Sequence, residues 1–192
     1  EVARSLGEEV RETEVLVRFV SHMLPLHDVN RERGVVRHRM RDLEERLPAM
    51  GPAARAPGSY ALGRGHLVLG ELDAARARLD EAWGLGLRTP DVAYALGVTL
   101  AHLYERERRG FTSAPTPAER EKRKAGIDAT LRDPALGFLA KARGARMDVP
   151  AYAEALIAEL QDDLDRAIAL AGSAAETAPW LYEARTLLGR AY

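Results

Sequence analysis

The sequence contains no cysteine, few aromatic residues and no excess of charge of either sign. The absence of cysteine excludes a disulfide framework, a thiolate nucleophile and a cysteine-ligated zinc site. Lysine and arginine together number 28, and aspartate and glutamate 29. This balance argues against a nucleic-acid binder, which normally carries a basic excess. No apolar run approaches the roughly 18 residues of a transmembrane helix, so we expect no membrane span.

Signals for β-strands are also nearly absent. The chain has no long alternating run of Val, Ile and Thr, and no Asn-Gly or Asp-Gly hairpin turn. Alanine, by contrast, is abundant, and 32 of the 33 alanines lie from Ala49 onward. Alanine has the highest helix propensity and lets neighbouring backbones approach closely. The sequence therefore predicts an all-α protein.

Residues 1–50 are predicted to form an N-terminal helical hairpin. A stripe of apolar residues runs from Val10 to Leu24, where Pro25 ends the first helix. Asp28 or Asn30 can cap the second helix. Its apolar positions are Val35, Val36, Met40, Leu43 and Leu47. The segment from Gly51 to Gly58 is rich in proline and glycine, and we expect a turn-rich connector there.

A repeat follows the connector. Tyr60-Ala61-Leu62-Gly63 recurs as Tyr94-Ala95-Leu96-Gly97, 34 residues later. This period and pattern resemble the tetratricopeptide repeat, a pair of antiparallel helices. A small residue on each helix, Gly63 and Ala75, is expected to let the two helices approach closely, while the sides are filled by Leu62, Leu72 and Leu79. Leu87 departs from the pattern, because the family usually carries a proline at that position.

The same phase predicts a tetratricopeptide-like α-solenoid over residues 56–192. Its repeats fall at about 56–89, 90–147 and 148–181, with a half repeat at 182–192. In the third repeat Tyr152 is in phase and Ala155 replaces the glycine. In the half repeat Leu188 and Gly189 are in phase with Leu62 and Gly63, and we expect it to serve as the end helix of the stack.

The second repeat is enlarged. Tyr94 and Tyr152 are 58 residues apart, about 24 more than the period, and we predict a lengthened helical hairpin at about 104–133. One helix is predicted from Pro90 to Arg109 with Thr89 as its N-cap. Another begins at the capping box that starts at Thr116, and a third is capped by Asp133-Pro134. The hairpin is either simply solvated or a docking surface for an acidic partner.

No pattern typical of an enzyme is present. The five histidines match no known metal-ligand spacing, so neither a metal nor another cofactor is expected. His66 is expected to pack in the core, and His102 lies on the predicted inner face, where a binding role is open. Phosphate-loop, nucleophile-elbow and kinase motifs are absent. We expect this chain to be non-catalytic.

The predicted inner, concave face is the candidate binding site. In the tetratricopeptide family it is lined by the first helices of successive repeats. The corresponding residues here are Tyr60, Arg64, Leu67, Tyr94, Val98, His102, Tyr152, Leu156 and Arg190. The tyrosines could grip a peptide, or their rings could pack between repeats. Arg64 and Arg190 could bind a carboxylate, but the Lys and Asn of the family's carboxylate clamp are missing.

The combination of hairpin and repeats also resembles the region that follows the catalytic domain of bacterial Hanks-type serine/threonine protein kinases. The resemblance is carried by the turn from Leu24 to Asp28, by the segment from Tyr60 to His66 and by the segment from Ala178 to Arg185. It implies a cytoplasmic signalling protein in which a kinase domain precedes Glu1. It also implies that these repeats recruit substrate, sense a signal or form oligomers.

Two functions of different classes remain open at this point. The first is a non-catalytic module that binds a protein or peptide, or a kinase domain in cis. The alternative is a small-ligand sensor, with its ligand between the inserted hairpin and the concave face.

Overall fold

The computed structural model describes residues 29–109, 116–146 and 149–191, and every regular element in these ranges is helical, as predicted. The helices are α1 (Val29–Arg46), α2 (Pro52–Val68), α3 (Leu72–Gly84), α4 (Pro90–Arg109), α5 (Pro117–Ile127), α6 (Asp133–Lys141), α7 (Pro150–Leu160), α8 (Leu164–Thr177) and α9 (Tyr182–Ala191). A 3₁₀ turn (Leu47–Met50) follows α1, and a π-helical turn (Asp128–Arg132) joins α5 to α6. The chain divides into two compact units, unit 1 up to Arg88 and unit 2 from Thr89.

The predicted first helix of the N-terminal hairpin and the Asp28 cap lie outside the described residues. Asn30 cannot be the alternative N-cap, because it lies within α1. Of the predicted apolar positions of α1, Val36, Met40 and Leu43 are buried against Ala54, Leu62 and Leu69. Val35 is 40% exposed and lies outside this buried stripe. The predicted core stripe is therefore narrower than the sequence suggested.

Charged residues of α1 hold it to the turn between α2 and α3. Arg33 donates to the carbonyl of Leu69 at 2.6 Å, and Arg37 pairs with Glu71 at 2.9 Å. Each exposed ion pair of this kind adds little free energy, typically below about 1 kcal/mol. They fix the orientation of a helix whose apolar residues already pack on α2.

The predicted connector from Gly51 to Gly58 is wrong, because these residues open α2. Pro52 is tolerated in the first turn, where no intrahelical hydrogen bond is lost. Pro57 lies inside the helix at the cost of one backbone hydrogen bond. Gly58 packs closely against Leu47: a Cβ there would lie 2.2 Å from Leu47 Cδ1, so the Leu47 side chain would have to shift. Gly58 therefore reflects a close contact between helices, which the sequence alone did not distinguish from a turn.

The α2–α3 hairpin forms around Gly63. A Cβ at Gly63 would lie 2.6 Å from Leu79 Cγ, so only glycine lets α3 approach this closely. Gly70 ends the α2 segment with φ +73°, and the amide of Glu71 donates back to the carbonyl of His66 at 2.9 Å. This is the hydrogen bond of a glycine-terminated helix.

The α4–α6 hairpin repeats the same contact. A Cβ at Gly97 would lie 2.7 Å from Leu139 Cγ. On α3 and α6 the buried residues follow one pattern at i, i+4 and i+7. They are Ala75, Leu79 and Ala82 in the first hairpin, and Ala135, Leu139 and Ala142 in the second. Gly63 and Gly97, one 34-residue period apart, therefore have equivalent leucine neighbours.

The α7–α8 hairpin keeps the spacing and changes the residues. Ala155 stands where the first two hairpins have glycine, and Ala167, Ala171 and Ala174 are buried at i, i+4 and i+7 of α8. Ala171 takes the place of Leu79 and Leu139. A methyl group on the first helix is thus matched by a smaller residue on the second, which conserves volume.

In α9 the buried residues are Ala184 and Leu187. Leu188 is half-buried, and Gly189 is exposed with nothing within 4 Å of an added Cβ. Gly189 therefore does not have the close contact of Gly63, since no helix follows α9 among the described residues. None of the described helices combines the length and apolar character needed to cross a bilayer.

The enlarged repeat contains the helices predicted for it, with one difference. Thr89 Oγ1 accepts from the amide of Val92 at 3.4 Å, and Thr116 Oγ1 accepts from the amide of Glu119 at 3.2 Å, as the cap predictions required. Asp133-Pro134 does not begin a separate helix, because the helical path continues from α5 through the π-helical turn into α6. Pro134 donates no amide hydrogen, and the turn before it widens to an i→i−5 bond from Asp133 to Asp128.

Candidate functional site

In unit 1 the predicted face residues Tyr60, Arg64 and Leu67 lie on α2 at i, i+4 and i+7. This spacing places them on one side of the helix. All three are half-buried. Gly63, one residue before Arg64, packs against α3 on another side of the helix. Unit 1 therefore brings a tyrosine, an arginine and a leucine to one partly accessible helical stripe.

In unit 2 the predicted face residues come from α4, α7 and α9. Val98, Tyr152 and Leu156 are buried, so they support the face from within. Tyr94 and His102 of α4 are half-buried. We expected the tyrosines either to contact a peptide or to pack between helices. Tyr152 is packed, whereas part of the Tyr94 side chain remains accessible.

A hydrogen bond joins α4 to α7 at the centre of this face. His102 Nε2 and the Tyr152 hydroxyl lie 3.0 Å apart. Burial, reinforced by the nearby charge of Arg190, lowers the pKa of His102 from 6.5 to about 4. Burial also raises the pKa of Tyr152 well above its ordinary value. Both side chains are therefore uncharged at neutral pH.

Arg190 is bound to a carboxylate of this chain. Its Nε and Nη2 donate to the two carboxylate oxygens of Glu159 at 3.1 and 3.0 Å, a bidentate pair. Glu105 lies 3.9 Å away on the same guanidinium. Burial raises the pKa of Glu159, although the charge of Arg190 opposes the shift. A carboxylate ligand would have to displace Glu159 to reach Arg190.

Three glutamates lie at this face. Besides Glu105 and Glu159, the charge of Glu183 acts on Tyr152, and burial raises the pKa of Glu183. Glu105 and Glu159 share the guanidinium of Arg190, and Glu105 also pairs with Arg109 at 3.2 Å. The sequence showed these glutamates only as isolated charges, because they are 24 to 78 residues apart. Glu159 and Arg190 are 31 residues apart, so no local pattern in the sequence indicated that they form an ion pair.

The other predicted histidines have structural partners. His66 Nδ1 donates to Glu71 Oε2 at 2.8 Å. This bond, with a second from Arg37, holds the pKa of Glu71 below its ordinary value against the effect of burial. His38 lies 3.5 Å from Asp42. Among residues 29–109, 116–146 and 149–191, no group of three His, Asp or Glu side chains converges to hold a metal ion.

Comparison with known proteins adds no assignment. No protein-family model matches the chain, and no curated protein matches it significantly.

Proposed function

We propose that this chain is a non-catalytic interaction module built from tetratricopeptide-like helical hairpins. The observation that supports it most is the repeated Gly–Leu contact. Gly63 with Leu79 and Gly97 with Leu139 have the same geometry, and their glycines are one 34-residue period apart. Because helix-pair repeats with this period commonly bind extended segments of other proteins, a binding function is favoured.

The half-buried aromatic side chains provide the contacts that would bind a peptide. Tyr60 in unit 1 and Tyr94 in unit 2 are flat, amphipathic and cheap to order on binding. Buried Val98, Tyr152 and Leu156 hold the unit 2 face rigid, so little entropy is lost there. Such a surface suits an extended peptide.

The carboxylates beside His102 indicate the character of the peptide. Glu105 is paired with Arg109 and Glu159 with Arg190, whereas the carboxylate of Glu183 accepts a hydrogen bond from Tyr182. A peptide with a Lys or Arg side chain would compensate the negative charge of Glu183. We therefore propose a basic peptide as the partner of unit 2.

The resemblance to the region that follows bacterial serine/threonine kinase domains suggests the setting. In that setting the module recruits a substrate to a kinase in cis, or regulates it, in the cytoplasm. Activity of the kinase with and without this region, measured on one substrate, tests that part of the proposal. Equal kcat/KM for the two forms would contradict it.

A peptide selection tests the binding function. We expect a displayed random library to yield peptides enriched in Lys or Arg when selected on the full chain. Tyr94→Ala should weaken their binding at least tenfold, because the half-buried aromatic ring is lost. Leu85→Ala is the control: Leu85 is 44% exposed and belongs to unit 1, outside the face formed by α4, α7 and α9. Equal affinities for wild type and Tyr94→Ala would contradict the proposal.

A small-ligand sensor is the second candidate, favoured by a cavity of about 340 Å³ beside the inserted hairpin. Thermal unfolding separates the two candidates, since a ligand stabilises the state that it binds. Stabilisation by a small molecule, with none by any selected peptide, would favour the sensor.

A further inference from the structure

The cavity lies in unit 2, between the end of α4, the first half of α5 and the turn after α7. Its volume of about 340 Å³ falls within the range of small-molecule sites. It is lined by Tyr104, Arg108, Arg120, Glu121, Lys124 and Asp162. The cavity adjoins the proposed peptide-binding face, since the charge of Arg108 acts on Glu159.

The charge of the lining favours an anion. Three cationic side chains face two carboxylates, and the hairpin that carries most of these residues is basic as a whole. Residues 105–109 and 119–124 carry seven basic and four acidic side chains, a net charge of +3, in a chain whose net charge is −1. A concentration of one sign of charge around a concave site attracts ligands of the other sign.

Two of the lining residues are held in place by a buried carboxylate. The Tyr104 hydroxyl donates to Asp128 Oδ1 at 2.9 Å, and Lys124 Nζ donates to Asp128 Oδ2 at 2.8 Å. Arg132 lies 2.8 Å from the same Oδ2. Arg132 also pairs with Asp133 at 3.0 Å, so the charges of this cluster are balanced. The cluster therefore holds Tyr104 and Lys124 in place at the wall of the cavity.

Arg108 has a partner that a ligand can replace. Its Nη1 lies 3.5 Å from Asp162 Oδ1, and the two side chains are 44% and 59% exposed. A long, exposed ion pair of this kind contributes little, so exchanging it for a ligand anion is inexpensive. Asp162 is also the only non-glycine with positive φ in the described ranges, at +58°.

We propose that this cavity binds a phosphomonoester. Its phosphate would be held by Arg108, Arg120 and Lys124, because guanidinium groups match phosphate oxygens in bidentate geometry and lysine adds a point charge. The remaining volume beside the Tyr104 ring would hold the organic part of the ligand. Asp162 would release Arg108 as the phosphate enters.

Phenyl phosphate is a suitable probe for the full chain, in NMR titrations at low ionic strength with phthalate as a dicarboxylate comparison. We expect saturable binding, with shifts concentrated at residues 104–108, 120–124 and 162. Phthalate should bind at least tenfold more weakly. Shifts scattered over both units, or equal affinity for phthalate, would overturn the proposal.

Two substitutions that each remove one positive charge distinguish binding at this cavity from general electrostatic attraction. Arg108→Gln should weaken phenyl phosphate binding at least tenfold. Arg106→Gln removes the same charge from the same helix, but Arg106 is exposed and does not line the cavity. It should change the affinity less than twofold. Asp162→Asn should tighten binding, because the competing carboxylate is gone. Equal losses in the two arginine variants would overturn the proposal.

Discussion

A hydrogen atom is the only side chain that fits at Gly63. A methyl group there would lie 2.6 Å from Leu79 Cγ and 3.2 Å from the Leu79 amide nitrogen, so α3 would have to move. We expect Gly63→Ala to lower the free energy of unfolding by about 1–3 kcal/mol, even though alanine favours helix by about 1 kcal/mol. Urea denaturation followed by circular dichroism measures the change.

Gly172 provides the matched control. It also lies inside a helix, α8, but nothing lies within 4 Å of an added Cβ. Gly172→Ala should leave the free energy of unfolding unchanged or raise it by up to about 1 kcal/mol. The double variant Gly63→Ala/Leu79→Ala should lose less than the sum of its single variants, since the methyl group fills part of the space left by Leu79. Additive losses would contradict the contact.

The low pKa of His102 makes stability depend on pH. The folded-state pKa is about 4 and the ordinary value is 6.5, so between these values the unfolded chain binds a proton that the folded chain does not. The free energy of unfolding should therefore fall as the pH decreases from about 6.5 to about 4. The expected contribution of His102 is on the order of 3 kcal/mol.

Denaturation of the His102→Gln variant over the same pH range isolates this contribution. Glutamine stays neutral and can still form a hydrogen bond with Tyr152. The charged and titratable groups that face position 102 are Tyr152, Arg190, Glu159 and Glu105; they are the same in both proteins, so their own contributions cancel in the comparison. The variant should show a clearly smaller fall in stability. Parallel pH profiles would show that His102 is not buried as a neutral side chain.

Among the helices, α5 depends most on a polar cluster. None of its residues is buried, and Asp128, directly after it, joins Tyr104 of α4 to Lys124 and Arg132. Burial would raise the pKa of Asp128, but the bonds from Lys124 and Tyr104 and the charge of Arg132 outweigh it and lower the pKa. The carboxylate is therefore charged at neutral pH and stabilises the inserted hairpin.

Asp128→Asn should loosen α5 without unfolding unit 1. We expect amide hydrogen exchange to accelerate several-fold at residues 117–127, while residues 72–84 of α3 keep their protection. Asp133→Asn is the control, because Asp133 is exposed and pairs only at the surface with Arg132. Equal acceleration in both variants, or none in Asp128→Asn, would contradict the role of the cluster.

The helices that sequence reasoning placed correctly are those with local signals. Thr89 and Thr116 cap helices through side-chain bonds to residues three positions ahead, which a sequence shows directly. The errors arose where the decisive neighbour is distant or unexpected. Gly58 was interpreted as a turn residue, but in the structure it lies inside α2 and packs against Leu47. Asp133-Pro134 looks like a helix start, but the chain accommodates Pro134 with a π-helical turn.

At the scale of the described chain, the 34-residue period predicted which residues pack between helices, but it did not predict which residues are exposed. The 34-residue spacing identified Gly63 and Gly97 as equivalent, and the structure gives them equivalent leucine contacts. The same spacing could not reveal that Val98, Tyr152 and Leu156 are buried, because burial of a helical face depends on which helices pack over it. The lining of the cavity was visible in sequence only as a charged run.

The equivalence of the two glycine contacts is tested most directly by NMR on a sample with labelled leucine methyl groups. We predict nuclear Overhauser cross-peaks from Gly63 Hα to the Leu79 methyls and from Gly97 Hα to the Leu139 methyls. Both pairs should show similar intensities, because the distances from an added Cβ to the leucine Cγ are 2.6 and 2.7 Å. The absence of either cross-peak would contradict a repeated helical hairpin.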